Sequence, residues 1–139
     1  MAHKLTQDFL VPSPHDIELL YTNTVPENKC VHSNYLYLHR VLRELLYNAK
    51  KFSTGKQVIF RVEEHPDLIR FIVQDTGTGI APEEREHLFE PFFKRSTFTQ
   101  GLGLGLSLSR QTVTLLGGTL KLDTTYTEGA RFIVEIPNN

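Results

Sequence analysis

Cysteine is almost missing: Cys30 is the single example in 139 residues. One thiol closes no internal disulfide, so the chain is not a disulfide-stapled scaffold and suits a reducing compartment. Long apolar runs are missing too, and nothing reads as a membrane-spanning helix. The opening Met1-Ala2-His3-Lys4-Leu5 lacks the apolar core of a signal peptide. A cytoplasmic location is expected, with no membrane contact by this stretch, whether or not a longer protein is anchored. Charge of one sign is also lacking. Fifteen basic residues stand against sixteen acidic ones, for a net charge of −1. That balance excludes nucleic-acid binding driven by bulk attraction. The six histidines and the cysteine are scattered without zinc-ligand spacing. There is no internal repeat and no low-complexity tract.

What remains is an ordinary globular composition, 40% hydrophobic and 22% charged. A chain of this length fits one domain and buries roughly two-thirds of its unfolded surface. Residues 1–16, of mixed polarity with two prolines, read as a leader or linker, and residues 17–139 as the domain. Strands are expected at Ile17–Tyr21 and, briefly, at Cys30-Val31-His32, with a turn over Val25–Lys29 between them. Asn34 then suits a helix N-cap. Leu38, Leu42, Leu45, Ala49 and Phe52 recur at steps of four and three, one apolar helical stripe, which Ser53-Thr54-Gly55 ends.

Val58–Val62 and Leu68–Val73 are β-rich runs joined by Glu64-His65-Pro66-Asp67, a hairpin signature. Ala81-Pro82-Glu83-Glu84 opens a short helix. A second clear helix runs from Leu106 to Leu116 and stops at Gly117-Gly118. A last hairpin pairs Thr119–Asp123 with Arg131–Ile136 around Tyr126-Thr127-Glu128-Gly129. Helices and antiparallel hairpins in mixed order predict an α+β chain folded as a two-layer α/β sandwich.

Three segments carry candidate chemistry. Glu44, Asn48 and Lys51, at i, i+4 and i+7, share a polar helix face. An amide oxygen suits magnesium, which takes few protein ligands beside substrate phosphates, and an ammonium suits the phosphates themselves. A merely solvated face has the same pattern. Asp75-Thr76-Gly77-Thr78-Gly79-Ile80 follows a strand read as ending at Gln74. A carboxylate there can accept from the exocyclic amine of adenine, and Gly77 and Gly79 permit positive φ and close backbone approach. A plain strand-to-helix turn uses the same residues.

The glycine ladder Gly101-Leu102-Gly103-Leu104-Gly105-Leu106 opens the second helix, where backbone amides and the helix dipole favour phosphate. Close helix packing also selects glycine. The ladder is neither a Walker loop nor a dinucleotide fingerprint, because no Gly-Lys-Ser/Thr follows it and no strand precedes it. Between the last two segments, the phenylalanines of Phe89-Glu90-Pro91-Phe92-Phe93 are expected to be mostly core. They would pin a short lid over residues 94–100, with Lys94 or Arg95 reaching phosphate, though a surface loop fits as well.

Taken in order, these segments resemble the catalytic ATP-binding domain of sensor histidine kinases. That domain belongs to the superfamily shared with gyrase, the heat-shock chaperone ATPase and mismatch-repair proteins. The resemblance covers roughly residues 17–137. Glu44-Leu45-Leu46-Tyr47-Asn48-Ala49-Lys50-Lys51-Phe52-Ser53 is similar to the N box, and Asp75–Ile80 to the G1 box. Phe89–Phe93 is similar to the F box, Gly101–Leu106 to the G2 box, and Gly129–Pro137 to the closing strand.

The resemblance implies a Bergerat-type fold, a mixed sheet of about five strands with three helices on one face. It also implies ATP and Mg2+ as ligands. Asn48 would be the metal ligand, Asp75 the adenine partner and Lys51 a phosphate contact. Gly77, Gly79 and Ile80 would line the base, and Lys94, Arg95 and the amides from Gly101 to Leu106 would hold phosphate. Three positions depart from the pattern. Glu44 stands where many kinases have asparagine and gyrase-type ATPases have the water-activating base. Leu102 and Ala130 stand where threonine is usual.

None of the six histidines suits a phospho-acceptor. His15-Asp16 comes nearest, but Pro14 precedes it and a strand is expected after it. His39, His65 and His87 read as helix, turn and short-helix residues, while His3 lies near the terminus and His32 in an expected strand. The implied function is transfer of the γ-phosphoryl group of Mg-ATP, with Glu44 and Asn48 at the reacting end. The acceptor would be a histidine on a separate dimerisation domain, of the same or a partner protein, with a response-regulator receiver domain served indirectly. Such a fragment is expected to be monomeric and unable to phosphorylate itself. Two alternatives are an anti-sigma-type serine kinase acting as a partner-binding switch, and a gyrase-like ATPase, which is expected to carry a transducer domain beyond Pro137.

Overall fold

The computed structural model describes residues 18–23, 35–77, 79–92 and 105–137. The stripe seen in the sequence becomes helix α1, Tyr35–Phe52. Its buried face is Leu38, Val41, Leu42, Leu45, Leu46 and Ala49, wider than the expected stripe by Val41 and Leu46. A helix covering a sheet needs this breadth, because both flanks of the stripe meet the sheet.

The strands are β1 (Glu18–Asn23), β2 (Ser53–Glu64), β3 (Leu68–Gly77), β4 (Thr119–Leu122) and β5 (Arg131–Pro137). They form one five-stranded sheet in the order β1-β2-β3-β5-β4. The sheet is mixed: β1 and β2 are parallel, with α1 between them in the chain, and the other pairs are antiparallel. Two further helices are α2 (Pro82–Arg85) and α3 (Gly105–Leu115). Helix α1 packs on β2, β3 and α3, and α3 also packs on β4. The expected two-layer α+β sandwich is therefore present.

Side chains alternate along each strand with period two. Val58, Phe60 and Val62 of β2, Ile69, Phe71 and Val73 of β3, and Phe132, Val134 and Ile136 of β5 turn to the helix layer and join one core. Full burial of each such side chain contributes about 1.5–3 kcal/mol. The opposite face carries charge. There Arg70 donates from Nε and Nη2 to Glu135 Oε2 at 3.0 and 2.7 Å, and Lys121 Nζ lies 3.5 Å from Glu135 Oε1.

Several boundaries differ from the sequence reading, most of them by one or two residues. Strand β2 begins at Ser53, directly after the helix, because Ser53 pairs with Gly77 across a register irregularity before Val58. Strand β3 continues past Gln74 to Gly77, so Asp75 lies inside the ladder opposite Val58. Helix α3 starts at Gly105, one residue early. It ends at Leu115, one residue before the expected Leu116, with the glycine stop as expected: Gly117 has φ +81° and donates to the Thr114 carbonyl at 3.0 Å, while Gly118 donates to the Val113 carbonyl at 2.9 Å. That pair of bonds is the Schellman closure. The expected Cys30–His32 strand, the preceding turn and the Asn34 cap lie outside the described residues.

Candidate functional site

Asp75 is the one carboxylate among the buried described residues, 5% exposed. It continues the inward series of Ile69, Phe71 and Val73, so its side chain belongs to the sheet face that α1 covers. Burying a carboxylate is costly unless donors surround it. The turn between β4 and β5 supplies them. The Ala130 amide donates to Asp75 Oδ1 at 3.2 Å, and the Asp75 amide donates to the Ala130 carbonyl at 2.9 Å. Tyr126 Oη donates to the Asp75 carbonyl at 3.0 Å. Gly129 lies so close that an added Cβ would overlap the Asp75 carbonyl oxygen and sit 2.9 Å from Oδ1. An ionised carboxyl offers about four acceptor positions, and the Ala130 amide occupies one of them.

Gly79, with φ +70°, sets its α-carbon against the Gly129 carbonyl, where a Cβ would lie 3.2 Å away. Gly77 is different. It pairs with Ser53 as the last residue of β3 and has no positive φ, which corrects the expectation for that glycine. Ile80 is buried in the core, and its carbonyl accepts from Arg85 Nε at 3.3 Å.

Glu44 and Asn48 sit one turn apart on a half-buried flank of α1, beside the core stripe rather than opposite it. Glu44 reaches the first residue of α3. An added Cβ on Gly105 would overlap Glu44 Oε1 and lie 2.7 Å from its carboxyl carbon. A carboxylate at a helix N-terminus is favourably placed in the helix dipole. Lys51 lies in the last turn of α1. The placement of its side chain is outside the description, as are Lys94, Arg95, Gly101, Leu102, Gly103 and Leu104. Leu106 packs against the core from α3.

The phenylalanine segment divides. Phe89 packs against the core, edge-on to Phe132 with ring centroids 6.3 Å apart, and Arg110 of α3 lies 4.2 Å above its ring. Phe92 is 68% exposed, at φ +68°, and so is not a core residue as expected. Phe93 is outside the described residues.

Sequence reasoning passed over Tyr126, Arg131 and Gln74. Arg131 donates from Nε to Gln74 Oε1 at 2.7 Å and from Nη1 to Asp123 Oδ2 at 3.0 Å, and its guanidinium lies 4.4 Å from the Tyr126 ring centre. Nothing local marks their link to β3, because Gln74 and Asp75 lie 57 and 51 positions from Arg131 and Tyr126 in the chain. Asp123 is held below the usual carboxylate range by bonds from the Thr125 hydroxyl, the Thr125 amide and Arg131. Burial, with Glu128 and Asp75 nearby, pushes the Tyr126 hydroxyl up.

Among the described residues no group of three or more His, Cys, Asp or Glu side chains could hold a metal ion. No helix there is long and apolar enough to cross a membrane. The family described as "Histidine kinase-, DNA gyrase B-, and HSP90-like ATPase" matches residues 33–139. Sensor protein RstB of Escherichia coli K12 is 41% identical over 106 residues, 72% of this chain and 24% of that protein. Sensor histidine kinase RppB of Synechocystis sp. is 34% identical over 109 residues, 75% of this chain and 24% of that protein. The chain thus spans about a quarter of the length of these relatives.

Among solved structures, the mycobacterial sensor histidine kinase MprB superposes with a TM-score of 0.80 at 27% identity, covering 99% of this chain and 91% of that one. Full-length ShkA in complex with AMPPNP superposes with a TM-score of 0.79 at 29% identity, covering 96% of this chain and 29% of that one. The chain therefore belongs to the histidine kinase-, DNA gyrase B- and HSP90-like ATPases, and within that family it is an ATP-binding catalytic domain of the sensor histidine kinase type.

Proposed function

We propose that this chain binds Mg-ATP over the helix-covered end of β3 and delivers the γ-phosphoryl group to a histidine on a separate dimerisation domain. A response-regulator receiver would take the group from there, and the reaction would be cytoplasmic. The observation that carries the reading is the buried Asp75 carboxylate on the sheet face covered by α1, the helix that also bears Glu44 and Asn48. Asp75 accepts from the adenine amine and so fixes the base.

The residues present fit the ligands. Asn48 offers a carboxamide oxygen and Glu44 a carboxylate on the same flank. Hard oxygen donors in this small number suit magnesium, which completes its shell with water and phosphate oxygens. Lys51, Lys94, Arg95 and the amides of residues 101–106 are assigned to phosphate on sequence grounds. The protein's contribution is orientation and charge neutralisation, with the acceptor supplied from outside. RppB is named a sensor histidine kinase and RstB a sensor protein, and no observation favours the serine-kinase or gyrase-like alternative.

The test is to incubate the chain with γ-labelled ATP and a dimerisation-histidine fragment of a related sensor kinase. Acid-labile label on the fragment is expected. Acid-stable label, or release of free phosphate without transfer, would reject the assignment.

A further inference from the structure

The turn joining β4 to β5 is built more elaborately than a hairpin needs. Asp123 Oδ1 accepts from the Thr125 amide at 3.0 Å and from the Thr125 hydroxyl at 2.6 Å, which shapes the first corner. The Asp123 amide donates to the Arg131 carbonyl at 2.8 Å and closes the neck. Arg131 then works in three directions, toward Asp123 on its own turn, toward Gln74 on β3 and against the face of Tyr126. Tyr126, held under that guanidinium, donates its hydroxyl to the carbonyl of Asp75, the residue next to Gln74. Two consecutive β3 residues are thus gripped by two side chains that also touch each other.

We propose that Tyr126 and Arg131 are positioning residues for Asp75, holding its peptide and carboxylate in the orientation that reads the adenine amine. The proposal rests on the base-reading assignment of Asp75 made above.

A carboxylate that discriminates between bases must be fixed in direction as well as in place, since hydrogen bonds weaken steeply with misalignment. The Ala130 amide fixes Asp75 Oδ1 at one point, and the Asp75 amide is fixed by its bond to the Ala130 carbonyl. The tyrosine hydroxyl holds the carbonyl end of that residue. Arg131 is suited to its place because its planar fork satisfies Gln74 and Asp123 in one geometry while stacking on the ring. A turn stabilised for its own sake would have no reason to reach across to the carbonyl of Asp75.

The experiment compares Mg-ATP and Mg-GTP affinities, by competition against a fluorescent nucleotide, for the unaltered chain, Tyr126→Phe, Arg131→Lys, Asp75→Asn and the Tyr126→Phe/Asp75→Asn pair. Tyr126→Phe is expected to weaken ATP by roughly 5-fold, the scale of one hydrogen bond, with little change in GTP. Arg131→Lys keeps a charge over the ring but loses the fork, and is expected to shift the same ratio in the same direction. In the Asp75→Asn background, Tyr126→Phe should add nothing. Equal losses for ATP and GTP, or a full further loss in the double variant, would show a structural turn only and overturn the proposal. If Asp75→Asn lowers ATP affinity while Tyr126→Phe and Arg131→Lys do not, the positioning role alone fails. If Asp75→Asn itself leaves ATP affinity unchanged, the base-reading assignment fails and this inference with it.

Discussion

Asp75 and Ala130 hold each other by two hydrogen bonds, the Asp75 amide donating to the Ala130 carbonyl and the Ala130 amide donating back to Asp75 Oδ1. Asp75→Asn keeps an oxygen for the Ala130 amide and should fold normally. Its ATP affinity should fall by about 10-fold, on the scale of a hydrogen bond to a charged group. Asp75→Ala strands the buried amide and should also cost about 1–3 kcal/mol of stability. Calorimetry and urea denaturation on both variants separate the two effects; wild-type ATP binding by Asp75→Asn would contradict the assignment.

Asn48 lies on the half-buried flank of α1, so a change there need not disturb the core. Asn48→Asp places a second negative charge near Glu44 and the expected phosphates. Mg-dependent nucleotide affinity should drop by about 10-fold, since like charges in a partly buried site repel by one or two kcal/mol. Melting should be nearly unchanged. Titration with and without magnesium is the check, and an unaltered affinity in magnesium argues against a metal-side role for Asn48.

Two glycines make opposite predictions although a Cβ fits at neither. At Gly129 the obstacle is the Asp75 backbone, which cannot swing away, so Gly129→Ala should cost about 1–3 kcal/mol and lower nucleotide affinity as well. At Gly105 the obstacle is the end of the Glu44 side chain, which can rotate. Gly105→Ala should therefore leave the melting temperature close to wild type while displacing Glu44, with phosphotransfer reduced more than ATP affinity. Denaturation midpoints and transfer rates for the two variants give the comparison.

Arg110 over Phe89 ties α3 to the segment that follows α2. The guanidinium–ring contact at an exposed site is worth about 0.5–1 kcal/mol. Arg110→Ala and Phe89→Leu should each destabilise, and a double-mutant cycle should return a coupling of about that size. A coupling of zero would mean that the stacking contributes nothing in solution.

Acid should loosen the sheet's far edge in a defined window. Bonds from Arg70 hold Glu135 below its ordinary value of 4.5, and Thr125 and Arg131 hold Asp123 below 3.8. A carboxylate depressed in the folded state adds stability that is fully present above its unfolded pKa and lost as pH falls through the folded one. Urea midpoints should be steady down to about pH 5 and then decline through pH 4 and below. Glu135→Gln and Asp123→Asn should flatten that decline, and an unchanged acid slope in both would refute the attribution.

Much of this protein could be read from residue order. The period of Leu38, Leu42, Leu45 and Ala49 marked α1, the alternation of Val58–Val62 and Leu68–Val73 marked the central hairpin, and Gly117-Gly118 marked the end of α3. Each signal is local, since helix and strand periodicity and left-handed glycine closures need only near neighbours. The candidate residues Glu44, Asn48 and Asp75 were visible for a related reason: their spacing within short segments carries the resemblance.

Tertiary structure decided what the chain could not state locally. It carried β3 on past Gln74, because Asp75 finds ladder partners in Val58 and Ala130 that lie far away in the chain. It turned Glu44 toward Gly105 and sent Phe92 outward. It also gathered Tyr126 and Arg131 around Asp75. Those arrangements depend on which segments the sheet order brings side by side, and such long-range pairing leaves no periodic trace in the sequence.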